Sequence, residues 1–321
     1  MSSKKPYNVV LMGTPDFSLT MFEEILNCPD FKVKAIVTQV DKPVGRKQVL
    51  TAPPVKELGL KYGIEVKQVN KIKDIADYLN SLNLDLIIVI AYGKILPQSI
   101  LNIPKEGCIN VHASLLPKYR GASCLQAPIL AGDEVSGLTI MKMDAGMDTG
   151  NIIEQFEVKL DKDETLTTLH DKLSSLGGGN IVETLLKYLL GDIKEKKQAE
   201  EKATYVKLIK KEDGILDFSN TSETIIRNVR ALNPWPGTFA FLGEKVLKIL
   251  EIQGKIENNQ PHKIGELFFN SKQLYIQTKD KAIEISKLQV SGKKAVEQKE
   301  IYSGYRYLEG KILTKVPSSS G

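Results

Sequence analysis

Apolar residues in the first half of the chain come in blocks too dense to alternate with polar ones. Residues 7–12 (Tyr-Asn-Val-Val-Leu-Met), 31–38 (Phe-Lys-Val-Lys-Ala-Ile-Val-Thr) and 85–90 (Asp-Leu-Ile-Ile-Val-Ile) are such blocks. Strands covered on both faces read this way, because neither face is left for water. Between the first two blocks, Phe17, Met21, Ile25 and Leu26 recur at helical spacing. Apolar strands separated by helix-length segments predict an α/β fold, with a Rossmann-like, mainly parallel sheet and right-handed crossovers. Further strands are expected at 107–112 and 135–143. A helix is expected over 166–190, interrupted by Gly177-Gly178-Gly179.

The pattern changes after residue 190. Residues 191–198 are charged and lack apolar periodicity, which suits a linker reaching to 213. After the run 215–218, a helix is expected to carry Ile225, Ile226, Val229 and Leu232. Short runs at 246–252, 265–269, 274–278 and 282–285 then alternate, as in a small antiparallel, OB-like β-barrel. The expected division is therefore 1–190 as the α/β domain, 191–213 as linker, 214–316 as the barrel and 317–321 as a frayed tail. A length of 321 residues agrees with two domains.

Composition narrows the class. No run of about 18 apolar residues is present, so no membrane span is expected. The basic start, residues 1–6, leads into a strand and not into a signal-peptide core, so the expected location is cytoplasmic. Cys28, Cys108 and Cys124 form no CxxC pattern and are expected as reduced thiols. His112, His170 and His262 have no second ligand at metal spacing, so no metal site is expected. From Tyr205 onward 19 Lys and Arg face 13 Asp and Glu, whereas the first 204 residues hold 25 against 26. The positive excess thus sits in the back part, where it fits either scattered surface lysines or a polyanionic partner.

Two segments carry candidate chemistry. Asn110 and His112 alternate on the strand at 107–112, so both point to one side while Ile109 and Val111 point to the other. Alone, the pair is explained by a solvated strand end. Downstream, Asp144-Ala145-Gly146-Met147-Asp148-Thr149-Gly150 offers a carboxylate that can orient an imidazole, although Asp-Thr-Gly alone is ordinary turn chemistry. Amide, imidazole and carboxylate together suit acyl transfer to an amine. Gly13-Thr14-Pro15-Asp16 stands where a nucleotide loop would be, but GxGxxG is absent. A tight turn with an Asp16 cap is expected there in place of a dinucleotide site. Residues 90–93, Asn110-x-His112 and the Asp148 loop are all assigned to carboxyl ends of strands, where ligands of open α/β sheets bind.

The run Asn110-x-His112-x-Ser114-Leu115-Leu116-Pro117, taken with Asp148-Thr149-Gly150, resembles the folate-dependent formyltransferases. The resemblance implies transfer of a formyl group from 10-formyltetrahydrofolate to an amine without a metal. It implies catalytic roles for Asn110, His112 and Asp148, and folate contacts at Ile90, Ala91, Tyr92, Ser114, Leu115, Leu116, Pro117 and Asp144. By composition, Thr38-Gln39-Val40-Asp41-Lys42-Pro43-Val44-Gly45-Arg46-Lys47 reads as a surface loop, but it also resembles an insertion of the methionyl-tRNA formyltransferases. Asn233-Pro234-Trp235-Pro236-Gly237, with its Trp expected as a packed hinge, and Gly292-Lys293-Lys294 resemble segments of the same group. That implies initiator methionyl-tRNA as the partner of a monomer, met by Lys42, Arg46, Lys47, Lys293 and Lys294. Ser123-Cys124-Leu125-Gln126 departs from the family's common Ala-Pro-Ile-Gln. Three alternatives stay open: an amino sugar nucleotide as acceptor, hydrolysis of 10-formyltetrahydrofolate, and a non-catalytic RNA-binding protein on this scaffold.

Overall fold

The densest apolar blocks become the inner strands of a seven-stranded sheet. In chain order the strands of the first unit are β1 (Tyr7–Gly13), β2 (Phe31–Thr38), β3 (Lys42–Val44), β4 (Val49–Thr51), β5 (Val66–Gln68), β6 (Leu86–Ile90), β7 (Cys108–His112), β8 (Arg120–Gly121), β9 (Val135–Lys142), β10 (Ile152–Lys159) and β11 (Tyr205–Val206). The sheet order is β10-β9-β7-β6-β1-β2-β5. Neighbours from β7 to β5 pair in parallel, whereas β9 is antiparallel to both β7 and β10. β6 is buried along its whole length, as its unbroken apolar sequence requires. The computed structural model describes residues 5–45, 47–257 and 261–317. Arg46 and residues 318–321, most of the expected frayed tail, lie outside these.

The unit built on this sheet comprises Met1–Leu125, Val135–Leu160 and Thr167–Lys207. The helix Leu166–Leu190 runs without the break expected at its three glycines. Close packing explains two of them. A Cβ on Gly177 would lie 2.5 Å from Met21 Sδ, and one on Gly178 would lie 2.6 Å from Thr20 Cγ2. Glycine costs about 1 kcal/mol against alanine inside a helix, and here it admits the neighbouring helix Leu19–Asn27. Nothing in the structure requires a glycine at 179. The expected Asp16 cap is not made either. Ser18 and Pro15 occupy the cap positions without side-chain capping bonds, and the Asp16 carboxylate lies 3.4 Å from His170 Nε2.

The second unit comprises Gln126–Glu134, Asp161–Leu166 and Leu208–Gly321. Its strands, β12 (Phe239–Leu242), β13 (Lys245–Ile256), β14 (Leu267–Asn270), β15 (Gln273–Gln277), β16 (Ala282–Val290) and β17 (Val296–Glu297), are joined in the order β12-β13-β16-β15-β14, with β17 on β16. All pair antiparallel. The segment after Gly310 bridges the two edges, since Ile312 pairs with Glu266 beside β14 and Thr314 pairs with Phe241 of β12. The sheet thus curls toward a barrel whose last side is made of isolated bridges, and it encloses Leu216, Ile225, Leu247, Ile276, Ile283 and Leu308. The amphipathic helix Ser222–Leu232 contributes Ile225, with Thr221 Oγ1 capping Thr224 N at 3.3 Å. Trp235, expected as a packed hinge, is 55% exposed. Asn233 does the anchoring there: its Nδ2 donates to Val229 O at 2.9 Å and to Thr238 Oγ1 at 3.0 Å.

Among the described residues, no helix is long and apolar enough to cross a membrane, and no group of three or more acidic, His or Cys side chains could hold a metal ion. Cys28, Cys108 and Cys124 are free thiols, as expected.

Candidate active site

The site starts from β7, whose register carries Cys108, Asn110 and His112 on one face. Cys108 belongs to the buried apolar cluster under that face, so the strand passes from core to polar chemistry within five residues. Asn110 pairs in register with Val89 of β6 and Met141 of β9. Its side-chain amide takes up no hydrogen bond from the described residues and is half-buried. His112 is 6% exposed, and its Nε2 donates to Tyr119 O at 3.0 Å. The opposite nitrogen, Nδ1, lies 3.7 Å from Asp148 Oδ1. That distance is too long for a made hydrogen bond and short enough for strong charge attraction. With Nε2 committed as a donor, the imidazolium is the form that suits a carboxylate facing Nδ1.

Electrostatics agree. Burial pulls the His112 pKa down, but Cys124, which also hydrogen-bonds the ring, the Asp148 carboxylate and the Tyr119 carbonyl outweigh it and raise the value to about 9. Cys124 is the site residue that sequence reasoning passed over. The only signal was its standing at the Ser123-Cys124 departure from the family pattern.

Asp148 reaches His112 by a path the sequence reading does not give. Because β9 is antiparallel to β7, Lys142 at its end pairs with Ile109, and Thr139 pairs with His112. The loop after β9 therefore starts beside the amino end of β7 and not at the carboxyl ends of the parallel strands. It folds back along the polar face to bring Asp148 up to His112. Within the loop, Asp144 Oδ1 accepts from Gly146 N at 3.0 Å and Thr149 Oγ1 at 2.6 Å. Asp144 thus makes the Asx turn, and Asp148, at φ 55°, is left facing the imidazole. Asp148 Oδ2 accepts from Gly121 N at 2.8 Å.

The expected folate residues divide. Ile90 ends β6, and Ala91 is exposed with φ 49°, a left-handed conformation uncommon for a residue with a Cβ. The Tyr92 ring lies in the core, so only its backbone faces the site side. The carbonyl there accepts from Thr14 Oγ1 at 3.0 Å and Gln39 Nε2 at 2.9 Å. The Tyr92 hydroxyl is buried without a partner among the described residues, and burial pushes its pKa up to about 12. Ser114 Oγ is spent on Lys118 O at 2.6 Å. Leu116 is fixed from both sides, its N donating to Thr139 Oγ1 at 3.0 Å and its carbonyl accepting from Gln155 Nε2 at 2.9 Å. Leu115 is half-buried beside it, and the Leu116-Pro117 bond is cis. A groove of about 910 Å³ opens behind this turn, between Leu116, Pro117, Gln155 and Gln198, with Lys194 and Lys197 on its rim.

The expected tRNA residues are less tied down. β3 and β4 form an antiparallel ribbon with Val44, Val49 and Leu50 exposed, so the expected surface loop has regular structure. Lys42 Nζ donates to Gln39 Oε1 at 2.6 Å, and Lys47 is exposed. Arg46 lies outside the described residues. In the second unit, Lys293 Nζ sits over the rings of Tyr305 and Tyr307, at 5.1 and 5.5 Å, and Lys294 is exposed.

Both the sequence and the fold have relatives among known proteins. Residues 8–185 match the formyl transferase family model, and residues 208–306 match the model of the formyl transferase C-terminal domain. The methionyl-tRNA formyltransferase of Caldicellulosiruptor saccharolyticus is 41% identical over 312 residues, covering 96% of this chain and 100% of that protein. Among solved structures, WlaRD, a sugar 3N-formyl transferase seen with dTDP and 5-N-formyl-THF, superposes with a TM-score of 0.63 at 20% identity, covering 91% of this chain and 100% of that one. HypX from Aquifex aeolicus, in complex with tetrahydrofolic acid, gives 0.60 at 16% identity, covering 94% of this chain and 48% of HypX. At such identities the two structures speak for the fold alone.

Proposed function

The chain belongs to the methionyl-tRNA formyltransferases within the formyl transferase family, and from that premise we propose how its residues carry the reaction. The enzyme transfers a formyl group from a folate donor, 10-formyltetrahydrofolate, to the free α-amine of initiator methionyl-tRNA. The amine attacks the formyl carbon, and a tetrahedral intermediate with a developing oxyanion forms. Asn110, whose amide is uncommitted, donates to that oxygen. The His112 imidazolium adds its positive charge beside that oxygen. Asp148 keeps the imidazolium charged and relays the amine proton toward N10 of the departing folate. No covalent enzyme intermediate is needed. The observation that carries this reading is the meeting of Asn110, His112 and Asp148 on one face of β7, from segments more than thirty residues apart in sequence.

The folate is assigned to the surface formed by Ile90, Ala91 and the Tyr92 backbone, the turn from Ser114 to Pro117, and the Asp144 loop. Residues 1–190 carry the chemistry. The barrel, 214–316, meets tRNA phosphates through Lys293 and Lys294, and the segment 38–47 meets the acceptor end through Lys42, Arg46 and Lys47. The enzyme works as a cytoplasmic monomer. The test of the catalytic assignment is Asn110→Ala under single-turnover conditions. Losing one oxyanion donor costs about 100- to 1000-fold in rate, and a rate near that of the parent enzyme would remove Asn110 from the mechanism.

A further inference from the structure

A buried network outside the catalytic trio ends on the backbone of Asp148. Gln198, 4% exposed, donates through Nε2 to Asp148 O at 2.8 Å and to Gly150 O at 2.7 Å. Its Oε1 accepts from Arg120 Nε at 3.1 Å and Nη2 at 2.8 Å. Arg120 is fully buried. It also donates to Glu200 Oε1 at 2.7 Å, Glu200 Oε2 at 3.0 Å and Tyr205 Oη at 2.9 Å. The backbone completes the tie: Tyr119 N donates to Thr204 Oγ1 at 2.8 Å, Arg120 N donates to Thr204 O at 2.8 Å, and β8 pairs with β11. The strip from Gln198 to Val206 thus grips both walls of the His112 pocket: the Asp148–Gly150 turn, and the Tyr119–Gly121 turn that supplies the carbonyl to Nε2 and the N–H to Asp148 Oδ2.

Both walls need holding. Asp148 at φ 55° and Tyr119 at φ 65° sit in the left-handed region, which residues with a Cβ occupy only when surroundings over-determine it. Without Gln198 the two carbonyls of the Asp148 turn would lose this donor. Gln198 meets both with one amide, and Arg120 fixes which way that amide faces.

We propose that Gln198 is a positioning residue for formyl transfer: held by Arg120, it clamps the Asp148 turn at the distance from which its carboxylate acts on His112. The proposal rests on the reading of Asp148 as the partner of His112. Gln198→Glu keeps the acceptor for Arg120 and replaces the donor to the two carbonyls with a carboxylate oxygen that repels them. Gln198→Met keeps the volume and removes both.

The experiment measures kcat, KM for folate and for tRNA, melting temperature and the pH dependence of kcat for both variants, for Asp148→Asn, and for each Gln198 change combined with Asp148→Asn. A misplacement of this kind costs about 10- to 100-fold in kcat, with both KM values close to the parent's. In Gln198→Met, which adds no charge, the alkaline limb of kcat moves to lower pH, because the carboxylate supports the imidazolium less well. In the Asp148→Asn background each Gln198 change costs less than about twofold more, since the two act as one unit. Loss in Asp148→Asn with full activity and an unmoved pH profile in both Gln198 variants overturns the clamp alone. So do multiplicative losses in the combined variants, or failure of both Gln198 variants to fold, which would make the residue structural. Full activity of Asp148→Asn removes the underlying reading as well.

Discussion

At the scale of single residues, His112 holds the charge on which formyl transfer depends. Its pKa, raised to about 9, leaves the imidazolium in place across neutral pH. His112 should therefore cause no loss of turnover through neutrality and a fall as pH rises through about 9, and Asp148→Asn should move that fall to lower pH. A pH profile of kcat for both enzymes checks this, and an unmoved limb would remove Asp148 as the group that supports the charge. The same shift has a sign for stability. A folded-state pKa above the ordinary histidine value means that the protonated ring stabilises the fold fully below about pH 6.5, and that this contribution is lost as pH rises through about 9. Asn110 and His112 were legible in sequence because a period-two strand puts them on one face. Cys124 and Gln198 were not, because their roles come from contacts across long sequence separations that no local pattern encodes.

At the scale of elements, the strands were readable wherever both faces are buried, as in β1, β2 and β6, because composition alone marks such segments. The glycines at 177–179 misled because a helix-breaking residue and a close-packing residue look alike until the neighbour is known. Gly177→Ala tests this difference. Alanine is the better helix former, yet its Cβ would press on Met21 Sδ at 2.5 Å, so the change should destabilise by about 1–3 kcal/mol in urea unfolding. A gain in stability would mean that Met21 moves aside freely. The direction of β9 was also hidden. Nothing in a run of apolar residues says parallel or antiparallel, and the path of the Asp148 loop depends on it. The β3–β4 ribbon carries a prediction of its own: Arg46→Ala should weaken tRNA-dependent formylation and leave folate affinity at the parent value. Loss of folate affinity as well, measured by direct titration, would make the ribbon structural.

At the scale of the whole chain, charge separates the two halves more than hydrophobicity does. The excess of 19 basic over 13 acidic residues after residue 204 should show as tRNA affinity that falls steeply between about 50 and 200 mM salt, as phosphate contacts release counterions. Affinity constant over that range would contradict a phosphate-bound barrel. Chemistry and acceptor can be tested together in one assay. Formyl transfer from 10-formyltetrahydrofolate is followed with charged initiator methionyl-tRNA, with charged elongator methionyl-tRNA, with an amino sugar nucleotide and with no acceptor. Formyl-methionyl product is expected with the initiator and little with the others. Free formate in the acceptor-free reaction with no formylated tRNA would contradict it.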